Sequence, residues 1–301
     1  MDPAEIRRLW DEAGAAHENA AAGLGLMGFE VVHEASALGG AAVAVVGLPV
    51  GGWAEAAAAV RSASARYRGW IVAGRERLRA VDYGDVAVDG GDLAATFVRA
   101  HERLADIFAV GATPLVLGGD AVVSLPVLQV LSGKLRGRLG VIAFTPSYEI
   151  VPEPVYAAVS RWARALELGV VAPENLVLVG GRTTPTDACA RRVLGEIGAS
   201  TFSVAEIAEH GMQTIARESL EVAAAGTEAV YLSVDLSVLE GVGDPVGLTA
   251  RELASGAAAV GDALLAAADV CGLAMIDGDR QAAVAARVAA EIVAGISRRL
   301  A

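Results

Sequence analysis

The sequence predicts an α/β protein built around a mostly parallel β-sheet, and three observations lead to this class. Short runs rich in valine, leucine and isoleucine alternate with helix-like stretches from about residue 41 onward. Most of these runs lack polar alternation, as expected for strands covered by helices on both faces. The chain has 301 residues, 54% of them hydrophobic, which is enough to bury a large core in one domain. Periodicity alone leaves a closed barrel and a doubly wound sheet as alternatives.

Eight strands are predicted, in the order in which their apolar runs occur. They are AAVAVVGLPV (41–50), VDYGDVAV (81–88), PLVLGGD (114–120), LGVIAFT (139–145), NLVLVGG (175–181), ASTFS (199–203), AVYLSVDL (229–236) and CGLAMID (271–277). Helix-like segments between and after them include 91–110, 153–168, 204–225, 249–268 and 280–300. The N-terminal stretch is charged and amphipathic with Pro3 near its start, which indicates a helix. We therefore predict a helical extension, residues 1–40, and a single α/β domain, residues 41–301.

Composition and charge argue against several classes of function. A net charge of −12 argues against nucleic-acid and anionic-membrane partners. Asp262 and Asp269 interrupt the longest apolar stretch, so no membrane span is predicted. The N-terminus does not resemble a signal peptide, and Cys189 and Cys271 are expected to be small buried residues in a reducing compartment. These features predict a cytoplasmic protein.

Four strand ends, taken in order, resemble those of the ureohydrolases, the arginase and agmatinase family. VLGGDAVVSLP (116–126) is similar to the family's Gly-Gly-Asp-His-Ser segment, and VIAFTPSYE (141–149) to Phe-Asp-Ala-His-x-Asp. YLSVDLSVLE (231–240) and GLTARE (247–252) resemble Leu-Ser-Ile-Asp-Ile-Asp-Val-Leu-Asp and Gly-Gly-Leu-Thr-x-Arg-Glu. GLAMID (272–277) resembles the last strand, which ends in a substrate-side glutamate. The resemblance implies a three-layer arginase-like fold, with an eight-stranded, mostly parallel sheet between helices, assembled into trimers or hexamers.

Most of the metal ligands that this resemblance implies are replaced. The family holds two manganese ions with two histidines and four aspartates. The corresponding positions here are Ala121, Thr145, Ser147, Glu149, Asp235 and Ser237. Alanine offers no ligand atom, and neutral hydroxyls are poor ligands for hard divalent ions, so we expect no binuclear site and no other cofactor. A single weakly bound Mg or Mn ion on Glu149 and Asp235 is the alternative.

The remaining carboxylates each have a structural and a functional interpretation. Asp120 is expected to cap a helix, and Asp235 to cap a turn or to accept hydrogen bonds from a loop. Asp279 is expected to cap the final helix after a tight turn. Asp277 either belongs to that turn or replaces the family's guanidinium-binding glutamate.

Three hypotheses about function follow. The first is a pseudoenzyme with a structural, regulatory or assembly role, either as a homo-oligomer or together with an active paralogue. The second is a metal-independent enzyme with Asp235 and Glu149 as acid–base groups. Its substrate-binding residues would be Asp277, Asp120, Ser147 and Tyr148. The third is a binding protein for a cationic small molecule, such as a guanidino or amino compound.

The first hypothesis is favoured because metal ligands and substrate loops are lost together. The loop GVGDPV (241–246), for example, is shorter than the family's Pro/Gly loop. We therefore expect no arginase or agmatinase activity. No histidine or lysine is predicted near Ser147 or Tyr148 to activate them as nucleophile or acid. A filled cleft around Asp235 would indicate a scaffold, and an open acidic cleft would indicate a ligand site.

Overall fold

A single β-sheet forms the centre of the computed structural model, which describes residues 25–51, 55–69, 78–89, 92–148, 161–182, 184–273 and 278–300, and positions 5 and 150. Its strands are β1 Glu30–Val31, β2 Val43–Leu48, β3 Ala80–Asp85, β4 Thr113–Gly118, β5 Leu139–Phe144, β6 Val171–Gly181, β7 Ser200–Ser203, β8 Ala229–Asp235 and β9 Leu265–Cys271. All neighbouring strands pair in parallel. The predicted fold class is confirmed, although these residues form nine strands and not eight.

The strand order decides between the barrel and the open sheet. Across the sheet the order is β1-β3-β2-β4-β9-β8-β5-β6-β7, so the sheet is open. The chain builds one half with β1 to β4 and the other half with β5 to β7. Strands β8 and β9 then fill the gap between β4 and β5. The direction of winding changes at this gap, and in open α/β sheets ligands bind outside the carboxyl ends of strands at such a point.

Helices cover both faces of the sheet. Within the described residues they are α1 Ala56–Ala63, α2 Leu93–Ala109, α3 Ser124–Lys134, α4 Arg161–Glu167, α5 Pro185–Ile197, α6 Val204–His210, α7 Met212–Ala223, α8 Ala250–Gly261 and α9 Gly278–Arg299. One apolar core lies between the sheet and α1, α6, α7, α8 and α9, and the other between the sheet and α2 to α5. Alternate residues of a strand face alternate cores: Ile142 and Phe144 face the first, and Val141 and Ala143 the second.

Several elements differ from the prediction. The helix predicted for 204–225 is interrupted at Gly211, which has a φ of +81° and separates α6 from α7. The strand predicted for 271–277 is wrong in its described part, because β9 ends at Cys271 and residues 272–273 are not in a strand, while residues 274–277 lie outside the described residues. Residues 265–268 belong to β9 and not to the helix predicted for 249–268. Alanine favours helices, but pairing of this segment between β4 and β8 overrides that preference. Helix α3 was anticipated only through the cap expected at Asp120, and the segments of α1 and α5 were not singled out.

Other sequence expectations have mixed outcomes. Cys271 is buried as expected, but Cys189 is exposed, because it lies on the solvent side of α5. Asp279 lies inside the first turn of α9 and not at its cap. Of the segment 1–40, residues 25–40 contain β1 and two 3₁₀ turns, and the domain boundary at residue 40 stays a prediction. Among the described helices, none has the length and apolarity that a bilayer crossing requires.

Candidate functional site

The carboxyl ends of four central strands lie side by side. Val234 of β8 pairs with Phe144 of β5 and with Val270 of β9, which in turn pairs with Leu117 of β4. The residues one step further along these strands are Thr145, Asp235, Cys271 and Gly118. The four strand ends that carry the sequence motifs therefore lie side by side, in one row, at the centre of the sheet.

A buried arginine contacts this row. Arg161, the first residue of α4, is 4% exposed. Its Nη2 atom lies 3.5 Å from Oδ2 of Asp235 and 3.3 Å from Oγ1 of Thr145. The guanidinium carbon lies 5.0 Å from the ring centroid of Trp162, within cation–π range. Sequence reasoning missed Arg161 because it belongs to none of the strand-end motifs and reaches the site from a helix.

Asp235 forms an ion pair and also caps a turn. One carboxylate oxygen, Oδ2, faces Arg161. The other, Oδ1, accepts a hydrogen bond from the backbone N–H of Ser237 at 3.0 Å and another from its hydroxyl. Asp235 thereby caps the 3₁₀ turn Leu236–Val238, which confirms the turn-capping interpretation. Groups of the protein itself engage both oxygens, and the residue is only 5% exposed.

The other described positions of the implied ligand set take part in local structure. Ala121 is buried and begins the 3₁₀ turn Ala121–Val123. Thr145 donates a hydrogen bond to the backbone carbonyl of Ser147 at 3.1 Å and accepts the one from Arg161. Glu149 and the substrate candidate Asp277 lie outside the described residues.

Asp120 and Tyr148 also have clear structural roles. Asp120 accepts a hydrogen bond from the backbone N–H of Val122 at 2.7 Å, which confirms it as a cap. Tyr148 is 1% exposed, and its ring lies so close to Gly181 that a Cβ atom there would be 2.3 Å from the ring Cζ. Burial raises the pKa of the Tyr148 hydroxyl above its ordinary value, so this group stays protonated at neutral pH.

A second arginine holds the loop that follows β8. The Nε atom of Arg182 donates to the carbonyl oxygen of Val246 at 2.8 Å. Its Nη2 atom donates to the carbonyl oxygens of Ser237 and Val242, at 2.5 and 3.1 Å. The backbone N–H of Arg182 donates to the carbonyl of Pro146 after β5. This residue therefore ties the shortened loop to the ends of β5 and β6.

The described side chains do not fit a pair of divalent ions. Within the described part of the chain, no three aspartate, glutamate, histidine or cysteine side chains converge as a metal site. Ala121 has no ligand atom, and the hydroxyls of Thr145 and Ser237 are neutral. The guanidinium of Arg161 already offsets the charge of Asp235, and its own positive charge opposes a cation at that carboxylate.

Known proteins similar to this chain are ureohydrolases and related enzymes. The sequence profile described as the arginase family matches residues 36–295. An arginase of Brevibacillus brevis is 32% identical over 182 residues, which cover 52% of this chain and 60% of that protein. A guanidinopropionase of Pseudomonas aeruginosa is 29% identical over 203 residues, which cover 62% of this chain and 61% of that protein. The chain thus spans about three fifths of the length of these curated relatives.

Solved structures of such enzymes have the same fold. The proclavaminate amidino hydrolase of Streptomyces clavuligerus superposes with a TM-score of 0.78 at 20% identity, over 92% of this chain and 97% of that one. The formiminoglutamase of Trypanosoma cruzi, solved with manganese, gives a TM-score of 0.76 at 17% identity, over 86% and 94% of the two chains. At these identities the likeness shows the fold alone.

Proposed function

Because the chain belongs to the arginase family, we propose that it is a member without the binuclear manganese chemistry that serves a structural, regulatory or assembly role. The observation that carries this proposal is the contact of 3.5 Å between Arg161 and Asp235. A fixed positive charge lies beside the one aspartate that the resemblance leaves of the implied ligand set. A guanidinium neither binds a water molecule as a Lewis acid nor lowers its pKa, which are the two catalytic uses of such a metal.

Charge balance supports the same proposal. An isolated carboxylate that is almost completely buried would be costly, so the retained Asp235 needs a positive partner in the folded state. In a metal-loaded relative, the metal ions would supply that charge. Here Arg161 supplies it from within the chain. Arg161 neutralises the charge of Asp235 as a metal ion would, but it cannot activate a water molecule as a metal ion does.

Burial around Asp235 also favours a scaffold over an acidic ligand pocket. Arg161, Trp162 and Tyr148 are 4%, 2% and 1% exposed. Arg161 contacts Thr145 and Asp235 and lies against Trp162, and the Tyr148 ring packs against Gly181 at the end of the neighbouring β6. The described side chains at the place where an open α/β sheet usually binds its ligand, among them Asp235 and Arg161, are thus buried, which supports a scaffold. We infer a cytoplasmic protein that assembles with copies of itself, as a trimer or hexamer, or with an active relative.

Metal analysis together with an activity assay tests the proposal. The purified protein is incubated with manganese, dialysed and analysed for bound metal, and urea release is measured with arginine, agmatine and guanidinopropionate. We expect no stoichiometric manganese and no urea, whereas an active bacterial arginase treated in parallel should give both. About two manganese ions per chain, or turnover of any of these compounds, would refute the proposal.

A second candidate is a binding protein for a guanidino or amino compound. It is favoured by one observation, which is that Asp235 and Thr145 already hold a guanidinium group, that of Arg161. Thermal unfolding with millimolar agmatine separates the two candidates. A rise in Tm of the wild-type protein that Asp235→Asn abolishes would support the binding protein. A rise seen only in Arg161→Ala would mean that Arg161 excludes such ligands from the native site, which supports the scaffold.

A further inference from the structure

A second buried carboxylate, Asp269, lies in the middle of β9. It is 0% exposed and pairs across the sheet with Ser233 of β8. Its Oδ1 atom is contacted by the hydroxyl of Ser233 at 3.0 Å. Its Oδ2 atom is contacted by the hydroxyl of Ser124 at 2.9 Å and by that of Tyr231. We call these four residues the Asp269 cluster, and all four are fully buried.

The partners of Asp269 differ in kind from those of Asp235. Asp235 is contacted by a backbone N–H and a guanidinium, which can only donate hydrogen bonds, and by the hydroxyl of Ser237. Asp269 is contacted by three hydroxyls, and a hydroxyl can rotate to donate or to accept. The Asp269 cluster can therefore accommodate a carboxylic acid that donates one hydrogen bond.

The charges around the Asp269 cluster favour the neutral acid. Within the described residues, no arginine, lysine or histidine forms an ion pair with Asp269. The charged or titratable groups that face the cluster are Arg161 from α4, Asp235 and Tyr231 from β8, and Cys271 from β9. Helix α3 contributes the uncharged Ser124, and β4 the apolar Val116 opposite Asp269. Among the described residues, one guanidinium thus faces two buried carboxyl groups, and it lies within ion-pair distance of Asp235.

We propose that Asp269 holds a proton in the folded protein at neutral pH, and that this buried proton-binding site makes the fold less stable as the pH rises. Among the described groups that face the cluster, Arg161 then carries one positive charge and Asp235 one negative charge. Ionising Asp269 would add a second negative charge in a fully desolvated position. Consistent with this geometry, burial raises the pKa of Asp269 above its ordinary value. The proposal holds whether or not the protein is an enzyme.

The sign of the pH dependence follows from proton linkage. In the unfolded chain Asp269 has an ordinary pKa of about 3.9 and loses its proton above that pH. In the folded protein it keeps the proton up to its raised pKa. Between these two values the folded state binds one more proton than the unfolded state, so stability falls as the pH rises. For one proton, the folding equilibrium constant falls by about tenfold per pH unit.

Urea unfolding between about pH 5 and pH 8 tests this inference on the full-length wild type and on Asp269→Asn. The variant lacks the titrating group, so the ratio of its folding constant to that of the wild type should rise by about tenfold per pH unit until the native pKa is reached. Ser233→Ala is the matched control, because it removes a hydroxyl of the cluster but keeps the carboxyl and should therefore keep the wild-type slope. A ratio that does not change with pH would overturn the proposal.

An infrared measurement on the wild type alone covers the case in which Asp269→Asn does not fold. A buried protonated carboxyl gives a carbonyl stretching band at neutral pH, where ionised carboxylates give none. We expect such a band in the folded protein at pH 7 and its loss on unfolding in urea. Absence of the band from the folded protein would overturn the proposal.

Discussion

Replacing Arg161 by methionine should destabilise the protein by about 3 kcal/mol. The variant leaves Asp235, whose side chain is 8% exposed, as a buried carboxylate without its cationic partner. Breaking a buried ion pair by removing one partner costs roughly 3–5 kcal/mol. The contacts of 3.5 and 3.3 Å made by Arg161 are long for charge-assisted hydrogen bonds, so we expect the lower end of this range. Methionine fills most of the vacated volume, which keeps any cavity contribution small.

The double variant Arg161→Met with Asp235→Asn isolates the electrostatic part of this loss. It removes both charges, while the amide oxygen of the introduced asparagine can still accept the hydrogen bonds from Ser237. Replacing both partners of a buried pair is often close to neutral, so the double variant should recover most of the loss of about 3 kcal/mol. Urea unfolding measures both effects, and a loss of this size lowers the midpoint by roughly 1 M. A loss below about 1 kcal/mol, or a double variant no more stable than Arg161→Met, would contradict the reasoning.

Three further predictions concern packing, the loop after β8 and a helix cap. Gly295→Ala should destabilise by about 2 kcal/mol in urea unfolding, because its Cβ would lie 2.3 Å from the backbone of α8, whereas Gly133→Ala, with open space around it, should be neutral or stabilising. Arg182→Lys should speed amide hydrogen exchange in residues 238–248 by roughly fivefold or more. The lysine ammonium group cannot replace the guanidinium, whose Nε and Nη2 atoms donate hydrogen bonds to several backbone carbonyls of this loop. Thr249→Ala should lower the free energy of unfolding by about 1 kcal/mol, since it removes the capping box of α8.

The fold was largely predictable because its signals are local. Buried parallel strands appear as apolar runs, and seven of the eight predicted runs coincide with β2 to β8. The exception is β9, whose sequence LAAADVC contains three alanines and a buried aspartate, and which pairing between β4 and β8 holds in the sheet. The hydroxyls that contact the buried Asp269 belong to residues 36, 38 and 145 positions away. A local sequence pattern therefore cannot predict these contacts.

The candidate site was predictable only in part, for the same reason. The capping roles of Asp120 and Asp235 follow from bonds to residues two positions away, so a local rule identifies them. Arg161 and Asp235 are 74 positions apart in the sequence, and no local pattern around either residue predicts their ion pair. The strand ends indicate which ligands are missing, but only the tertiary structure shows which side chain neutralises the aspartate that is left.

The position of β8 and β9 bears on how the chain folds during synthesis. These two strands form the middle of the sheet, yet they are the last two of the described strands to be synthesised. Before residue 229 has emerged, the strands that join β4 to β5 are missing, so the edges of β4 and β5 that later face β9 and β8 have no partner. Exposed apolar edges of this kind promote aggregation. The nascent chain therefore most needs chaperone protection in the interval between the synthesis of β5 and that of β9.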